Sequence, residues 1–202
     1  MQNCNFKTIN SVSESVYKEK GSKFIAYAYP LLSEDAVKGY VENLRKQHHG
    51  ARHFCWAYKI GHTNSVFRVN DDGEPSNTAG KPILGQIDAF SITNILIVVV
   101  RYFGGTLLGV GGLIQAYKES AKLVLQEATI IEKTIEVFYK ILFTYEIQNI
   151  VLSIVKQCKG NVVNQSFELQ CEIECAIPVA YEDLFLKLFT NQNNINISRI
   201  HE

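Results

Sequence analysis

The sequence has no excess of charge of either sign, since 20 lysines and arginines face 20 aspartates and glutamates in 202 residues. It therefore lacks the global field of a polybasic nucleic-acid or membrane-surface protein, and any basic patch must be local. Disorder is excluded as the main state, because 47% of the residues are hydrophobic and only 20% are charged. The length exceeds that of a usual domain of about 100–150 residues, which favours two domains.

Paired cysteines and long apolar runs are also missing. The five cysteines form no CxxC motif, and this odd, scattered set is typical of reduced thiols rather than disulfides or a zinc site. The longest apolar run, residues 95–100, is too short to span a bilayer, and residues 1–24 hold no apolar stretch of signal-peptide length. We expect a cytoplasmic protein that is neither exported nor inserted into a membrane.

The periodicity of apolar residues predicts an α+β fold in two parts. In the first part, domain 1–133, we expect strands and helices in the order ββαββαβα, at about residues 12–18, 23–31, 33–47, 53–60, 66–69, 83–90, 95–100 and 113–125. The continuously apolar strand at residues 95–100 should be buried on both faces. A turn-rich segment at residues 70–82 and a glycine-rich loop at residues 104–112 join these elements.

The second part, domain 134–202, repeats neither the pattern nor the charge of the first. Its strict alternation and helical stripes predict a ferredoxin-like βαββαβ order, at about residues 137–145, 147–155, 162–163, 168–177, 181–188 and 195–197. The first part has 15 basic and 12 acidic residues, a charge of +3, and the second has 5 and 8, a charge of −3. The small positive excess thus accompanies the glycine-rich loop.

The glycine-rich loop offers one candidate binding surface. Five glycines lie between a buried strand and a helix, so backbone N–H groups, the helix dipole and Arg101 could hold a phosphate. The spacing is neither a Walker loop nor GxGxxG, and tight packing of the glycines is an equally good interpretation. Tyr102 could also stack on a base. The candidate nucleic-acid or anion contacts are Arg52, His53, Lys81, Arg101, Tyr102, Gly104, Gly105, Gly109, Gly111 and Gly112.

The turn-rich segment offers a second candidate set, a polar loop whose chemistry could involve a cation or an acid/base pair. Its members are Asp71, Asp72, Glu74, Ser76 and Thr78. The spacing does not match a calcium loop, so turn and capping chemistry is the favoured interpretation. Neighbouring His48 and His49 point in different directions, and His53 with Cys55 lacks an orienting carboxylate. We assign no catalytic residue and no metal ligand, and we expect no cofactor.

Three ordered motifs, at residues 51–55, 71–82 and 98–113, make the sequence similar to the IMPACT family, in its bacterial YigZ type. The resemblance implies a left-handed βαβ crossover in an N-terminal domain like those of ribosomal proteins, and a C-terminal domain similar to domain V of elongation factor G. Asn77 stands where the family usually has glycine, and Phe54 where bacterial relatives can carry a second histidine. Asparagine tolerates positive φ, so the loop should keep its shape.

The resemblance defines the fold more closely than the activity, since the bacterial members have no settled biochemical activity. The leading hypothesis is a non-enzymatic, translation-associated regulatory protein, because a basic, glycine-rich motif lies on a fold whose relatives touch RNA or the ribosome. Eukaryotic members regulate translation through a partner bound by a further N-terminal domain, so we do not transfer that partner. We expect binding to RNA, a ribosome or a translation factor, with Arg52, Lys81 and Arg101 on phosphates, and Arg101→Ala weakening binding in a folded domain. The alternative is a hydrolase or phosphate-ester enzyme that uses Asp72 and Glu74, possibly with a metal. A third hypothesis is a regulator that binds peptides through its C-terminal sheet.

Overall fold

A computed structural model describes residues 4–62, 65–167, 170–190 and 195–200. Its backbone contacts divide the chain into two compact units. The first unit spans Phe6–Lys133, and the second begins at Thr134 and also holds the described residues before Phe6. Each unit combines helices with an antiparallel sheet, so the predicted α+β class is confirmed.

The first unit is built on a five-stranded sheet in which every neighbouring pair is antiparallel. In spatial order its strands are β2 (Ser13–Glu19), β3 (Ser22–Pro30), β6 (Ile95–Tyr102), β4 (His53–Ile60) and β5 (Val66–Asn70). Its helices are α1 (Ala36–Gln47), α2 (Gly80–Ala89) and α3 (Gly109–Glu127). The β-branched run of β6 therefore lies at the centre of the sheet, with two strands on either side.

Two hydrophobic cores cover the two faces of this sheet. Val37 and Leu44 of α1 pack on one face, and Ile83 of α2 and Leu113 of α3 pack on the other. Residues 95–100 are fully inaccessible as a result, as the apolar run predicts. Covering both faces also buries neighbouring residues of β4, such as Phe54 and Cys55, which point to opposite faces of the sheet.

The second unit follows the predicted βαββαβ order. Its elements are β8 (Glu136–Phe143), α4 (Gln148–Gln157), β9 (Asn161–Phe167), β10 (Cys171–Pro178), α5 (Glu182–Phe189) and β11 (Asn196–Ile200). The strands lie in the order β11-β8-β10-β9, and both helices pack on one face around Ile173 and Phe185. Glu168 and Leu169, which the alternation assigns to the third strand, lie outside the described residues.

The structure differs from the sequence prediction at three places in the first 134 residues, and one of them is helix α2, which begins at Gly80 rather than near residue 83. Strands β1 (Asn5–Ile9) and β7 (Ile130–Thr134) form a two-stranded sheet that the pattern does not predict, because five residues are too few to show an alternation. Helix α3 begins at Gly109 rather than near residue 113, so part of the predicted loop is helical. Within the described ranges, no helix is both long and apolar enough to cross a membrane.

Candidate functional site

The polar loop and the glycine-rich segment meet at one end of the first unit's sheet. There β4 begins, β6 ends, and His53 pairs with Arg101 across the two strands. A cavity of about 450 Å³ opens between the polar loop and the start of α3. The residues that line it are Arg52, His53, Gly73, Glu74, Pro75, Arg101, Phe103, Leu107, Leu108, Gly109, Val110 and Leu113. We call it the α3 cavity.

A buried ion pair forms the floor of the α3 cavity. Arg101 Nη1 donates to Glu74 Oε1 at 2.6 Å, and the two side chains are only 6% and 4% exposed. The Tyr117 hydroxyl donates to the same oxygen at 2.8 Å. Arg101 also lies over the rings of Phe24 and Phe103, while its Nε has no hydrogen-bond partner. Glu74 and Arg101 were predicted to belong to separate candidate surfaces, but the structure joins them in one buried ion pair.

This pairing changes the expected role of Arg101. Its guanidinium is enclosed and neutralised by Glu74, so it is not a free phosphate contact on the surface. Removing one partner of such a pair leaves an uncompensated buried charge and is strongly destabilising. The expectation that Arg101→Ala weakens binding in a folded domain does not fit this burial.

Asp71 organises the polar loop by capping α2. Its Oδ1 accepts the N–H groups of Ala79 and Gly80 at 3.0 and 2.8 Å, and its Oδ2 accepts that of Asn77 at 2.8 Å. The N–H groups of a helix's first turn have no intrahelical partner, and a carboxylate is their best acceptor. The capping interpretation of this loop agrees with these hydrogen bonds, which leave Asp71 little capacity for a metal ion.

Asp72 holds the loop against β4 and α1. Its Oδ1 binds Arg45 at 2.6 Å and its Oδ2 accepts the Phe54 N–H at 2.7 Å. The Asp72 carbonyl lies 2.9 Å from His53 Nδ1, and since a carbonyl only accepts, Nδ1 carries the proton. His53 Nε2 is therefore the ring atom left for a ligand in the α3 cavity. The carboxylate itself is fully engaged.

The remaining polar-loop candidates have structural or solvent-facing positions. The Thr78 hydroxyl is buried and donates to the Pro75 carbonyl at 2.7 Å. Asn77 adopts φ +65°, which fits the expected tolerance of asparagine for this conformation, and its amide contacts the Ser76 hydroxyl. Lys81 is exposed in the first turn of α2 and does not line the α3 cavity.

Cys55 lies beneath the polar loop in a site that suppresses nucleophilic chemistry. Its thiol lies 3.0 Å from the Asp71 carbonyl and 3.2 Å from the Tyr117 hydroxyl. Burial raises the pKa of the Cys55 thiol and that of the Tyr117 phenol, so both groups stay protonated at neutral pH. Cys55 is therefore not set up as a nucleophile. The described residues also contain no cluster of three histidine, cysteine or carboxylate side chains suited to a metal.

The glycines of the candidate set divide into two groups. A Cβ at Gly104 would lie 1.9 Å from the carbonyl carbon of Gly21. The backbone of the turn between β2 and β3 therefore touches the backbone of the glycine-rich loop. Gly105 and Gly109 have φ +84° and +70°, and a Cβ at either would meet nothing within 4 Å. Gly111 and Gly112 lie in the first turn of α3, not in a loop. Packing explains Gly104, while Gly109 leaves open backbone beside the cavity.

The Tyr102 side chain lies on the face of the sheet that α1 covers, opposite to the face that holds Arg101 and the α3 cavity. Its hydroxyl shares a hydrogen bond of 2.9 Å with His48 Nδ1, and the other ring nitrogen of His48 bonds the Tyr27 hydroxyl at 2.9 Å. Burial lowers the pKa of His48. The edge of the Tyr102 ring also lies against Gly50. These contacts fix the ring, so Tyr102 is not the free stacking platform that the sequence suggests.

Exposed lysines that the sequence did not single out lie at this end of the sheet, close to Arg52, which it did. In the register of the sheet, Lys23 of β3 lies opposite Tyr102 of β6 on one side and opposite Lys18 of β2 on the other. The turn that holds Lys20 touches the glycine-rich loop through Gly21. All three lysines are exposed, as are His49 and Arg52 near the start of β4. We call these five residues the basic edge: Lys18, Lys20, Lys23, His49 and Arg52. The local run at residues 18–23 was the signal that could have found it.

Comparison with known proteins identifies relatives of both parts of the chain. A family model described as the Impact N-terminal domain matches residues 20–125, which include the α3 cavity and every residue of the basic edge except Lys18. The IMPACT family member YigZ of Escherichia coli is 35% identical over 163 residues, covering 80% of each chain. An IMPACT family member of Haemophilus influenzae is 30% identical over 190 residues, covering 90% of each.

A solved structure supports the fold over the whole length. It is titled as the crystal structure of a hypothetical protein and is 31% identical to this chain, with a TM-score of 0.72. The superposition covers 98% of both chains. The two-unit α+β architecture is therefore shared with an experimentally determined protein.

Proposed function

Because the chain belongs to the IMPACT family, in its YigZ type, we propose that it is a cytoplasmic, translation-associated regulatory protein whose first unit binds RNA. The observation that carries the proposal is the basic edge, which gathers exposed cations from two separate chain segments around a glycine turn. The family resemblance supplies the link to translation. A ribosome is the natural source of such RNA, and a translation factor would reach the same surface only through its own acidic groups.

The chemistry of the basic edge suits a phosphate backbone rather than a particular base sequence. Lysine and arginine heads in solvent attract phosphates without reading base edges. Lys20 and Gly21 form a tight turn with φ +45° and +80°, so the backbone there lies at the surface between the charged side chains. Arg52 joins this edge to the α3 cavity. Binding should therefore be strongly salt-dependent and only weakly sequence-dependent.

The finer fold relationships belong to the same proposal. We propose that the β3-α1-β4 segment forms the left-handed crossover of ribosomal-protein domains, and that the second unit is a relative of domain V of elongation factor G. Parallel β3 and β4 flanking β6, and the strand order β11-β8-β10-β9, support these assignments. Both kinds of relative would place the chain beside ribosomal RNA.

A charge-reversal experiment tests the proposal. The variant Lys20→Glu/Lys23→Glu removes two cations of the basic edge, and Lys38→Glu/Lys118→Glu makes the same charge change at exposed positions of α1 and α3. We expect the wild type to co-sediment with ribosomes and to bind single-stranded RNA with an affinity that falls as salt rises. Each lost phosphate contact should reduce the salt slope by about 0.7.

The two variants separate a local surface from a general charge effect. We expect the basic-edge variant to lose at least about tenfold in RNA affinity at low salt, since two contacts of roughly 1 kcal/mol each disappear, while the control stays close to wild type. Equal losses in the two variants would show that the edge is not the binding surface. No binding by the wild type at any salt would overturn the proposal itself.

A further inference from the structure

The sheet of the second unit ends on one side in an open edge strand. Strand β9 (Asn161–Phe167) has β10 as its one neighbour among the strands that the structure describes. The backbone N–H and C=O groups on its other side are therefore available to a further strand. All seven residues of β9 are exposed, including Val162 and Phe167, which lie opposite core residues of β10. The edge is accessible along its whole length.

The composition of β9 differs from that of the other edge strands. Its sequence has no charged residue, no proline and no glycine. The other three edge strands that the structure describes in the two larger sheets are β2, β5 and β11, which carry Lys18, Arg68 and Arg199. Charges and prolines prevent a further strand from pairing with an edge, and β9 has instead a single bulge at Val163. We therefore expect β9 to accept a further strand.

One face of this edge calls for apolar side chains. Val162 and Phe167 lie opposite Cys175 and Cys171, which belong to the core that α4 and α5 cover. They nevertheless keep 39% and 42% of their surface accessible, since β9 is the last strand on this side. Apolar side chains of a further strand would cover them.

The other face of this edge is acidic. Asn164 lies there, opposite Glu174 of β10. Lys140 of β8 also lies opposite Glu174, but its ammonium binds Glu172 at 2.6 Å. Among the described residues, no cation forms an ion pair with Glu174, and residues 134–202 together carry a charge of −3. A strand that pairs with β9 should therefore present basic side chains on this face.

We propose that β9 binds an extended basic segment of a partner protein, which adds a strand to this sheet. Its apolar side chains lie over Val162 and Phe167, and its basic side chains lie beside Glu174, so the two kinds alternate along the segment. This proposal concerns the second unit and does not rest on RNA binding by the basic edge.

A second copy of the chain fits this edge less well than a basic segment does. Pairing two β9 strands about a two-fold axis would place the Glu174 carboxylates of both copies on the same face, where they repel each other. The seven residues of β9 form an edge about 24 Å long and about 10 Å thick, or about 240 Å², and a stable interface needs roughly 800 Å² per partner. A short segment is held mainly by main-chain hydrogen bonds, so we expect weak and reversible binding.

Hydrogen–deuterium exchange of the full-length protein with synthetic peptides tests this edge. The first peptide alternates lysine and valine, and the second alternates glutamate and valine. The third replaces each valine of the first by proline, which keeps the charge but removes N–H donors. We expect the lysine–valine peptide to slow amide exchange in residues 161–167 but not in β11, because the outward N–H groups of β9 gain acceptors. The two control peptides should leave the exchange of β9 unchanged.

A pair of variants at Asn164 tests the acidic face. Asn164→Lys should weaken binding of the lysine–valine peptide about five- to tenfold, because repulsion replaces attraction across the new strand pair. Asn164→Thr keeps β9 neutral and should bind this peptide as the wild type does. The proposal is overturned if the lysine–valine peptide does not slow exchange in β9, or if the glutamate–valine peptide slows it equally. Slowing that grows with protein concentration in the absence of peptide would assign the edge to a second copy and would also overturn it.

Discussion

Replacing Arg101 by methionine should destabilise the first unit by about 3–5 kcal/mol, because it leaves the buried Glu74 carboxylate without its cation. At an effective dielectric constant of about 20, unit charges 2.6 Å apart attract each other by about 6 kcal/mol. Losing Arg101 also recovers the desolvation cost of its guanidinium, so the net effect is smaller than this attraction. The Tyr117 hydroxyl remains on the carboxylate and limits the loss further.

Urea denaturation followed by tryptophan fluorescence measures this effect in the correct unit. Trp56, the single tryptophan of the chain, lies on β4 in the first unit. With a urea dependence of about 2 kcal/mol per molar, Arg101→Met should lower the midpoint by about 1.5–2.5 M. Far-ultraviolet circular dichroism at zero urea shows whether the variant is still folded.

Two further variants separate the buried charge from lost packing. Glu74→Gln/Arg101→Met removes both charges, so it should be less destabilised than Arg101→Met alone. Arg52→Met removes an exposed guanidinium from the same cavity and should change the stability by less than about 0.5 kcal/mol. A midpoint for Arg101→Met within about 0.3 M of the wild type would refute the argument that this pair is buried and strong.

Three other predictions concern the framework of the site. Gly104→Ala should cost about 1–3 kcal/mol in urea denaturation because its Cβ meets backbone, whereas Gly111→Ala, whose Cβ meets nothing within 4 Å, should not destabilise; equal effects would contradict this contrast. Asp71→Ala should cost about 1–2 kcal/mol and speed amide exchange at Gly80, whose N–H loses its acceptor, and unchanged protection there would argue against capping. Burial lowers the pKa of His48 below its ordinary 6.5, so the folded state favours the neutral ring. Stability should hold above about pH 6.5 and decrease as the pH falls below it, and His48→Gln should flatten this slope; parallel pH profiles would exclude His48 as the cause.

The sequence predicted those parts of the fold that depend on local pattern. Residues 95–100 are apolar at every position, which only a strand covered on both faces requires, and the structure places them at the centre of the sheet. The order βαββαβ of the second part was also predicted correctly, because its strands alternate apolar and polar residues and its helices repeat apolar residues at helical spacing. The five-residue strands β1 and β7 escaped prediction because they are shorter than the window in which a period can be recognised.

The candidate site was predicted as a set of residues but not as an arrangement. Glu74 and Arg101 were both selected, yet their pairing depends on strand register and on a contact across 27 positions, which no local pattern encodes. The same holds for Asp71, whose favoured capping role could be named from its loop but whose acceptance of three N–H groups could not. The sequence shows that Arg101 is charged but not that its side chain is buried. Burial therefore changed its predicted role from a phosphate contact on the surface to one half of an internal ion pair.

The contact between Gly21 and Gly104 restricts how this sequence can evolve. Both sides of the contact are backbone atoms, so no smaller side chain elsewhere can make room for a Cβ at Gly104. A substitution of Gly104 cannot be compensated by one further substitution. It requires a new backbone path both in the turn between β2 and β3 and at the end of β6. In a saturation library selected for folding, we expect position 104 to remain glycine while the neighbouring exposed lysines vary freely. The backbone contact between Gly21 and Gly104 should therefore stay constant, while the exposed side chains beside it, and with them the ligand preference of this surface, can change.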